Sequence, residues 1–523
     1  MTQLEKGGAM HLTQPLRRML QQSPDAPLTA CGDRVRTVRE SVDRIACLAG
    51  ALQDLGTQPG DRVAMLAHNS DRYHEYLFAT WWIGSAVVPL NIRWSTQEID
   101  YALRDCGVRV LFVDDAFADH VAHLQAPVAA VVHCGDAPTP AGMLGYEDLL
   151  ENAAAAPETG SEEGGETLAG IFYTGGTSGT PKGVMLSHSN MALSALGSQV
   201  SGGIAASGGR MLHSAPMFHL ADLALWNAQN LVGGTHVILP GFSPEAVLSA
   251  IQTHRTTSAL LVPTMIQTLV DHPSLHEYDL SSMRSIVYGA SPIPEPVLKR
   301  AMDAFPGVDF VQAYGMTEAA PIATLLTGAD HAAGRRLRSA GRAAAHGEVK
   351  IVDPAGREVE RGTVGEIALR GDHVMQGYWG RPEESAAVLR QGWLHTGDGA
   401  YMDDEGYVFV VDRFKDMIIS GGENVYSAEV ENAIAQHPAV AACAVIGVPD
   451  ADWGERVHAV IVLRAGHTLT AEQLRQHTKS LIAGYKAPRT VEFTRALPLS
   501  PAGKILKREL RERHWAQNDR SVH

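Results

Sequence analysis

At 523 residues the chain is too long for one hydrophobic core, since cores stop growing near ~250–300 residues, and two or more domains are expected. Apolar residues make up 45% and charged ones 19%, which fits a soluble globular protein and excludes disorder over most of the length. A formal net charge of −15 excludes the basic face that duplex nucleic acid requires, so no nucleic-acid partner is expected and any anionic ligand must be met locally.

The opening MTQLEKGGAMHLTQPLRRML has no apolar run followed by a small-residue cleavage site, so secretion is not indicated. Residues 38–55 space Val38, Val42, Ile45, Leu48, Ala49, Leu52 and Leu55 as one stripe of an amphipathic helix. A strand at Arg62–Ala67, a helix over 72–84 and the β-rich AVVPLN follow. The longest apolar run, Tyr76 to Leu90, is interrupted by Gly84, Ser85 and Pro89 and falls short of the ~20 residues that span a bilayer, so it reads as a buried helix running into a strand. A helix opening at Ser95, with Glu98 three residues on as a capping box, leads to the strand VRVLFVDD. Residues 135–167, rich in Ala, Pro, Gly and Glu, read as an exposed connector between two such α/β units.

Strand and helix signals resume from Ile171 to about Phe310. From 346 to 412, EVKIVD, VGEIALRG and GYVFVVD, separated by Gly and Asp turns, predict a compact β-subdomain. A last α/β piece carries helix 427–436, strands 441–448 and 457–463, helix 470–483 and a closing helix from Ile505. The expected architecture is therefore α/β: a large N-terminal domain, 1–413, of two α/β subdomains plus a small β-subdomain, and a small α/β C-terminal domain, 414–523. The five cysteines, Cys31, Cys47, Cys106, Cys134 and Cys443, are scattered without a CxxC pair, which argues against a disulfide framework or a zinc site and for a reducing, cytoplasmic setting. The oligomeric state stays open, a homodimer included.

The most informative stretch is YTGGTSGTPKG (173–183), directly after the β-like AGIFY. Gly175, Gly176 and Gly179 let the backbone turn tightly and offer N–H groups to an anion, Thr174, Thr177, Ser178 and Thr180 add hydroxyls, and Lys182 adds a charge. It is not a Walker A loop, because the lysine precedes its glycine and follows Pro181. Read alone, it is either a phosphate cradle or a flexible Gly/Thr surface loop.

Six further segments stand in order: APMFH (215–219), YGASP (288–292), QAYGMTE (312–318), WLHTGD (393–398), DRFKD (412–416) with SGGEN (420–424), and PAGK (501–504). Together with the loop they resemble the signature of the adenylate-forming superfamily of acyl-CoA synthetases and AMP-dependent ligases, which includes the adenylation domains of nonribosomal peptide synthetases and firefly luciferase. The resemblance covers nearly the whole chain and implies ATP, Mg²⁺ and coenzyme A as ligands beside a carboxylic acid.

It assigns Glu318 to the metal, where a carboxylate beside a triphosphate needs an intervening oxygen-ligated cation; without it, Glu318 reads as a helix N-terminal carboxylate. It places Gly289, Ala290, Ser291 and Tyr314 along the adenine, Gly315 in the same nucleotide site, and Thr317 at the α-phosphate. Asp398, whose two acceptor oxygens suit a ribose diol, takes the hydroxyls, and Arg413 the ribose or phosphates; an Asx-turn residue and a salt-bridge arginine are their plain alternatives. His219 would gate the acyl pocket beside the carboxylate, or cap the following helix. His213 and His219 lack a third ligand at helical spacing, so zinc is not expected there. Lys504 would reach the acid's carboxylate and the α-phosphate as the catalytic lysine, where composition alone gives a solvated turn lysine. Lys415 matches the hinge about which the C-terminal domain turns. Gly421, Gly422, Trp453, Tyr485 and Arg489 match the coenzyme A site, although Ala487 stands where some aryl-acid relatives carry arginine.

The implied reaction is attack of the acid's carboxylate on the ATP α-phosphorus, loss of pyrophosphate, rotation of the small domain, and attack of the CoA thiol on the acyl-adenylate. His219, Leu220, Leu223 and Met316 are expected in the acyl pocket, and the segments 219–231, 286–293 and 312–322 that would line it are mainly apolar. No Asp or Arg obviously awaits an amino group; Asp222 is the one buried-carboxylate candidate, able equally to face solvent or cap its helix. A medium- or long-chain fatty acid is the expected substrate, with a benzoate- or cinnamate-type acid close behind. An adenylating enzyme that hands its acyl group to a carrier protein would need a fused or partner phosphopantetheine domain, and no fused one is expected. A catalytically dead relative would lack Glu318 or Lys504, and both are present.

Overall fold

A computed structural model of the protein describes residues 10–158, 164–174, 181–413, 416–420, 423–450, 452–500 and 503–515. Four sheets organise them: one of nine strands, one of eight, and two of five. Among the described residues no helix is long and apolar enough to cross a membrane.

The eight-stranded sheet has Arg62–Leu66 at its centre, paired in parallel with Ala86–Pro89 and Val108–Val113. The helix Val38–Asp54 forms where the apolar stripe predicts it, with Thr37 and Glu40 closing a capping box. Thr96–Asp105 starts at Ser95 with the Glu98 box in place. The helix Asp71–Trp82 is buried on every side. Its polar residues survive there because Arg34 holds Asp71 at 2.8 Å and Arg44 holds Glu75 at 2.7 Å. As expected of the Tyr76–Leu90 run, this helix leads into the strand Ala86–Pro89, also wholly buried.

Two sequence expectations need correction. Residues 144–152 of the supposed exposed connector are built into the fold: Leu144–Gly145 pairs with Ala130–His133, and helix Tyr146–Asn152 buries Tyr146 and Leu150. The Tyr146 hydroxyl donates to Glu75 at 2.7 Å, an anchor hidden by the surrounding Ala, Pro and Gly. Nor does that segment separate two units in sequence. Leu168–Thr174 and Lys182–Ser187 rejoin the eight-stranded sheet, while Pro27–Cys31 and Arg34–Thr37, near the start, close the edge of the nine-stranded one.

The nine-stranded sheet continues through Thr235–Ile238, Arg210–His213, Ser258–Leu260, Ser285–Gly289 and Asp309–Gly315, all parallel, and ends on antiparallel Ile322–Leu326 and Arg342–Ala343. Strands of mixed burial, Glu348–Val352, Gly365–Arg370, Trp393–Met402 and Val408–Arg413, build the third sheet, as the turn-rich sequence predicts. The fourth joins Ile418–Ser420, Glu423–Val425, Gly454–Leu463, Val440–Asp450 and Thr490–Thr494, flanked by helices Ser427–Ala435, Ala471–Leu481 and Lys507–Trp515. Of these, the two short strands and Thr490–Thr494 give no clear sequence signal.

This C-terminal piece rests on the large part through named contacts. Gln267 Nε2 donates to the Ala441 carbonyl, Thr264 Oγ1 to that of Gly503 at 3.3 Å, Arg93 to that of Ser500 at 3.2 Å, and Arg464 pairs with Asp271 at 3.3 Å.

Candidate active site

Neighbouring parallel strands Ser285–Gly289 and Asp309–Gly315 end side by side, which puts Gly289, Ala290 and Ser291 next to Tyr314 and Gly315. Gly289 is required by contact: a Cβ there would lie 2.1 Å from the Ala313 carbonyl oxygen. Ala290 then takes a positive φ of 66°, the kind of local strain that concentrates at ligand sites.

Beyond Gly315 and Met316 the chain makes the short turn Thr317–Ala319, which buries Glu318. Its Oε1 accepts a 2.8 Å hydrogen bond from the Tyr378 hydroxyl. Burial raises the Glu318 carboxyl above its usual range, against that hydrogen bond. A buried carboxylate whose ionised form is disfavoured gains from a hard cation, and one carboxylate completed by water and phosphate oxygens is a donor set that Mg²⁺ uses. Glu318 therefore fits the metal role expected of it.

Asp398 sits on the long strand Trp393–Met402, where antiparallel register sets it opposite Arg413. One of its oxygens pairs with Arg413 Nε at 3.2 Å and the other accepts from the Tyr314 hydroxyl at 2.7 Å. The plain alternative for Arg413 holds in part: it forms a salt bridge, with the carboxylate expected at the ribose. Thr174 and Lys182 are the last cross-strand pair of their hairpin. Lys182 Nζ lies 5.2 Å from the centre of the Tyr378 ring. The connecting residues, Gly175, Gly176, Thr177, Ser178, Gly179 and Thr180, lie outside the described residues, as do the hinge candidate Lys415 and the glycines Gly421 and Gly422.

His219 is the N-cap residue of helix Leu220–Val232, yet its side chain makes no capping bond. Among the described residues its buried Nε2 has no hydrogen-bond partner. Burial, with Lys504 and Arg93 nearby, pushes its pKa down to about 4, so the ring is neutral near pH 7. Leu220 and Leu223 are buried and Met316 partly so. Asp222 neither faces solvent nor caps: it is buried, with Oδ2 2.8 Å from His213 Nδ1, and His213 Nε2 in turn 3.0 Å from His236 Nδ1.

Lys504 is not a solvated turn lysine. The tight turn that carries it is closed by Lys504 N donating to Ser500 Oγ at 3.0 Å and by pairing of Leu499 with Ile505. Gly503 packs so closely on the large domain that a Cβ would lie 2.7 Å from Thr264 Oγ1 and 2.8 Å from Val262 Cγ2. The lysine thereby enters the field of Arg413, Asp398 and Glu318. Burial, aided by Arg413 and opposed by the two carboxylates, pushes its pKa down to about 8. Trp453 and Tyr485 are exposed large aromatics, and the Arg489 guanidinium lies 4.2 Å over the Trp453 ring. Ala487 is buried.

Tyr378, Thr264 and Arg93 are neighbours of the candidate site that sequence reasoning missed. Each acts on a residue far away in the chain, Tyr378 on Glu318 and Arg93 on Ser500, and no local pattern marks such a pair.

Comparison with known proteins gives a consistent picture. A family profile described as AMP-binding enzyme matches residues 16–379, and its companion, AMP-binding enzyme C-terminal domain, matches residues 429–504. A feruloyl-CoA synthase of Amycolatopsis sp is 43% identical over 500 residues, covering 95% of this chain and 98% of that one. A fatty acid–[acyl-carrier-protein] ligase of Streptomyces coeruleorubidus is 36% identical, with 96% of both chains covered. Among solved structures, an anthranilate CoA ligase in complex with anthranoyl-AMP superposes with a TM-score of 0.90 at 28% identity, covering 97% of this chain and 98% of that one.

Proposed function

The chain belongs to the AMP-binding enzyme family, and from that premise we propose that it is an ATP-dependent, AMP-forming ligase that joins a compact aromatic acid to coenzyme A. The observation that carries the two-step chemistry is the position of Lys504, brought by the C-terminal segment into the field of Glu318, Asp398 and Arg413. We divide the chain into 1–413 and 414–523 for this purpose, because Val408–Arg413 ends the third sheet and Ile418–Ser420 begins the fourth.

In the first step the carboxylate of the acid attacks the ATP α-phosphorus in line and pyrophosphate leaves. Lys182 and Lys504 offset the negative charge that builds there, and Asp398 and Arg413 hold the ribose end of the nucleotide. Glu318 is the residue that would hold Mg²⁺, which when bound would supply charge neutralisation at the phosphates. Neutral His219 stands beside the acyl end as an uncharged wall. In the second step the CoA thiol attacks the mixed anhydride, forming the thioester and releasing AMP. Lys504 belongs to the first step, and the segment carrying it withdraws as the small domain turns about Lys415. Trp453 and Arg489, stacked and exposed, are suited to the CoA nucleotide.

For the acid, the aromatic reading is supported by the similarity to a feruloyl-CoA synthase over nearly the full length. The fatty-acid reading is favoured instead by the apolar character of Leu220, Leu223 and Met316 and by the relative that activates fatty acids. A panel of ferulate, cinnamate, benzoate, octanoate and palmitate, scored by AMP release with ATP and CoA, separates the two. Turnover led by octanoate or palmitate would replace the aromatic reading. AMP release independent of CoA for every acid would overturn the ligase reading itself.

A further inference from the structure

The C-terminal sheet presents a set of side chains for which the ligase reaction has no use. His458, on strand Gly454–Leu463, faces Thr490 in parallel register, and Glu492 follows two residues on, hence on the same face as Thr490. Helix Lys507–Trp515 packs on that face through Leu510, which joins Ala444, Ile446, Val448 and Val460. His514 comes one helical turn after Leu510 and so lands beside His458, with ring centres 4.8 Å apart. Glu492 Oε2 lies 3.8 Å from His458 Nε2 and 3.9 Å from His514 Nε2.

Both separations are too long for hydrogen bonds. His458 Nδ1 is engaged instead, 2.7 Å from Thr490 Oγ1. In the tautomer in which Nδ1 donates to Thr490, Nε2 is left as an acceptor beside the carboxylate. Among the described residues that nitrogen has no hydrogen-bond partner, and its side chain is only 7% exposed. Burial keeps the imidazole neutral, its pKa pushed down to about 4. Arg456, a cation felt at His458, is itself 3.6 Å from Asp450.

We propose that His458, Glu492 and His514 form a transition-metal site, best matched to Zn²⁺, that ties strand Thr490–Thr494 to the last turn of the C-terminal helix. Two imidazoles and one carboxylate, with a further position left to water, form a donor set zinc accepts, and softer nitrogen ligands disfavour Mg²⁺. All three donor atoms lie within 4.8 Å of one another. Donors on a tetrahedral zinc with bonds of ~2.0–2.1 Å stand about 3.3 Å apart, so closure by ~0.5–1.5 Å completes the site. Glu492, 42% exposed, and His514, 32% exposed, have room to make that movement around a fixed His458. Thr490 is the positioning residue, holding the ring and its tautomer as outer partners of metal-bound histidines do. Lys504 lies between Glu492 and His514 in the chain, so one ion would hold both ends of the segment that delivers it.

The test uses the full chain, stripped by chelator and free of ATP, titrated with ZnCl₂ by calorimetry and with Co²⁺ by visible absorption. The expected result is saturable uptake of one ion per chain at this site, a raised Tm with zinc, and the visible bands of nitrogen-ligated cobalt. His514→Ala and Glu492→Gln should each weaken zinc at least tenfold while keeping the zinc-free Tm of the wild type, because both sites are open to solvent. Thr490→Val should weaken it by about 10–100-fold. Absence of saturable uptake by the wild type, or zinc affinity in His514→Ala and Glu492→Gln equal to that of the wild type, would overturn the assignment. Those two variants keep the test sound if changes at buried His458 impair folding.

Discussion

Lys504 allows the reaction to be tested through a single ionisation. Burial and Arg413 hold its pKa at about 8, well under the ~10.4 of a free lysine. The sign follows: the side chain is charged below that value and loses its charge as pH rises through it. A lysine of pKa near 8 is about 90% charged at pH 7 and about 10% at pH 9, so kcat/KM for adenylation, which reports the free enzyme, should fall roughly tenfold per unit above pH 8. The assay is acid-dependent exchange of pyrophosphate into ATP without CoA, which removes the titration of the CoA thiol from the record. Lys504→Ala should lower exchange by about 10²–10³, equivalent to ~2.7–4 kcal/mol for one lost preorganised charge, and should abolish the basic limb. Lys504→Arg, if active, should push that limb far up in pH. Supplied with chemically made acyl-AMP and CoA, Lys504→Ala should form thioester almost as the wild type does. A limb near pH 8 that survives in Lys504→Ala would show that another group titrates there. Equal failure on acyl-AMP would mean that the lysine serves structure or CoA binding.

Glu318→Gln keeps the shape and removes the charge, so use of Mg·ATP should fall at every magnesium concentration with Tm unchanged; wild-type activity across a magnesium titration would remove the metal assignment. Tyr378→Phe deletes the hydrogen bond that holds the Glu318 pKa down, so the acidic limb of pyrophosphate exchange should move to higher pH, and an unmoved limb would separate Tyr378 from Glu318 in function. Asp398→Asn should raise the KM for ATP. It should cost little stability, within ~1 kcal/mol for the pair, because Arg413 is half exposed; a large fall in Tm with unchanged KM would make the pair structural. Lys415→Pro should fix the hinge φ, sparing pyrophosphate exchange while thioester formation from acyl-AMP collapses, and equal loss of both would leave the hinge unsupported.

What could be read from the sequence was what is local in the chain. The Ser95–Glu98 capping box and the stripe of Val38–Asp54 are set within one or two turns of backbone, and both form where the residues place them. Partnership across the chain is different. Pro27–Cys31 pairs with Thr235–Ile238, and nothing in five residues of strand identifies a partner some two hundred residues away. The stretch around Tyr146 failed for the converse reason: its surroundings have loop composition, and its anchor is a carboxylate on another helix.

The same division runs through the site. Glycines and hydroxyls that cradle an anion must be contiguous, so they leave a motif, whereas charges that tune one another need only be close in space. Asp222 shows how far this reaches. An acidic residue in the first turn of a helix ordinarily faces outward to the helix dipole, and sequence alone left it between capping, solvent and the pocket. What decides is His213, nine positions earlier on a neighbouring strand, which meets it in the core and is itself backed by His236. The depressed pKa of Lys504 arises in the same way. Its own neighbours in sequence, Gly503 and Ile505, carry no charge, and its ionisation is set by burial and by Arg413, Asp398 and Glu318 on separate elements of the large domain. If that is so, withdrawing the C-terminal segment returns the lysine to water and to an ordinary pKa. The turn that prepares the second step would then also remove the charge that favours the first.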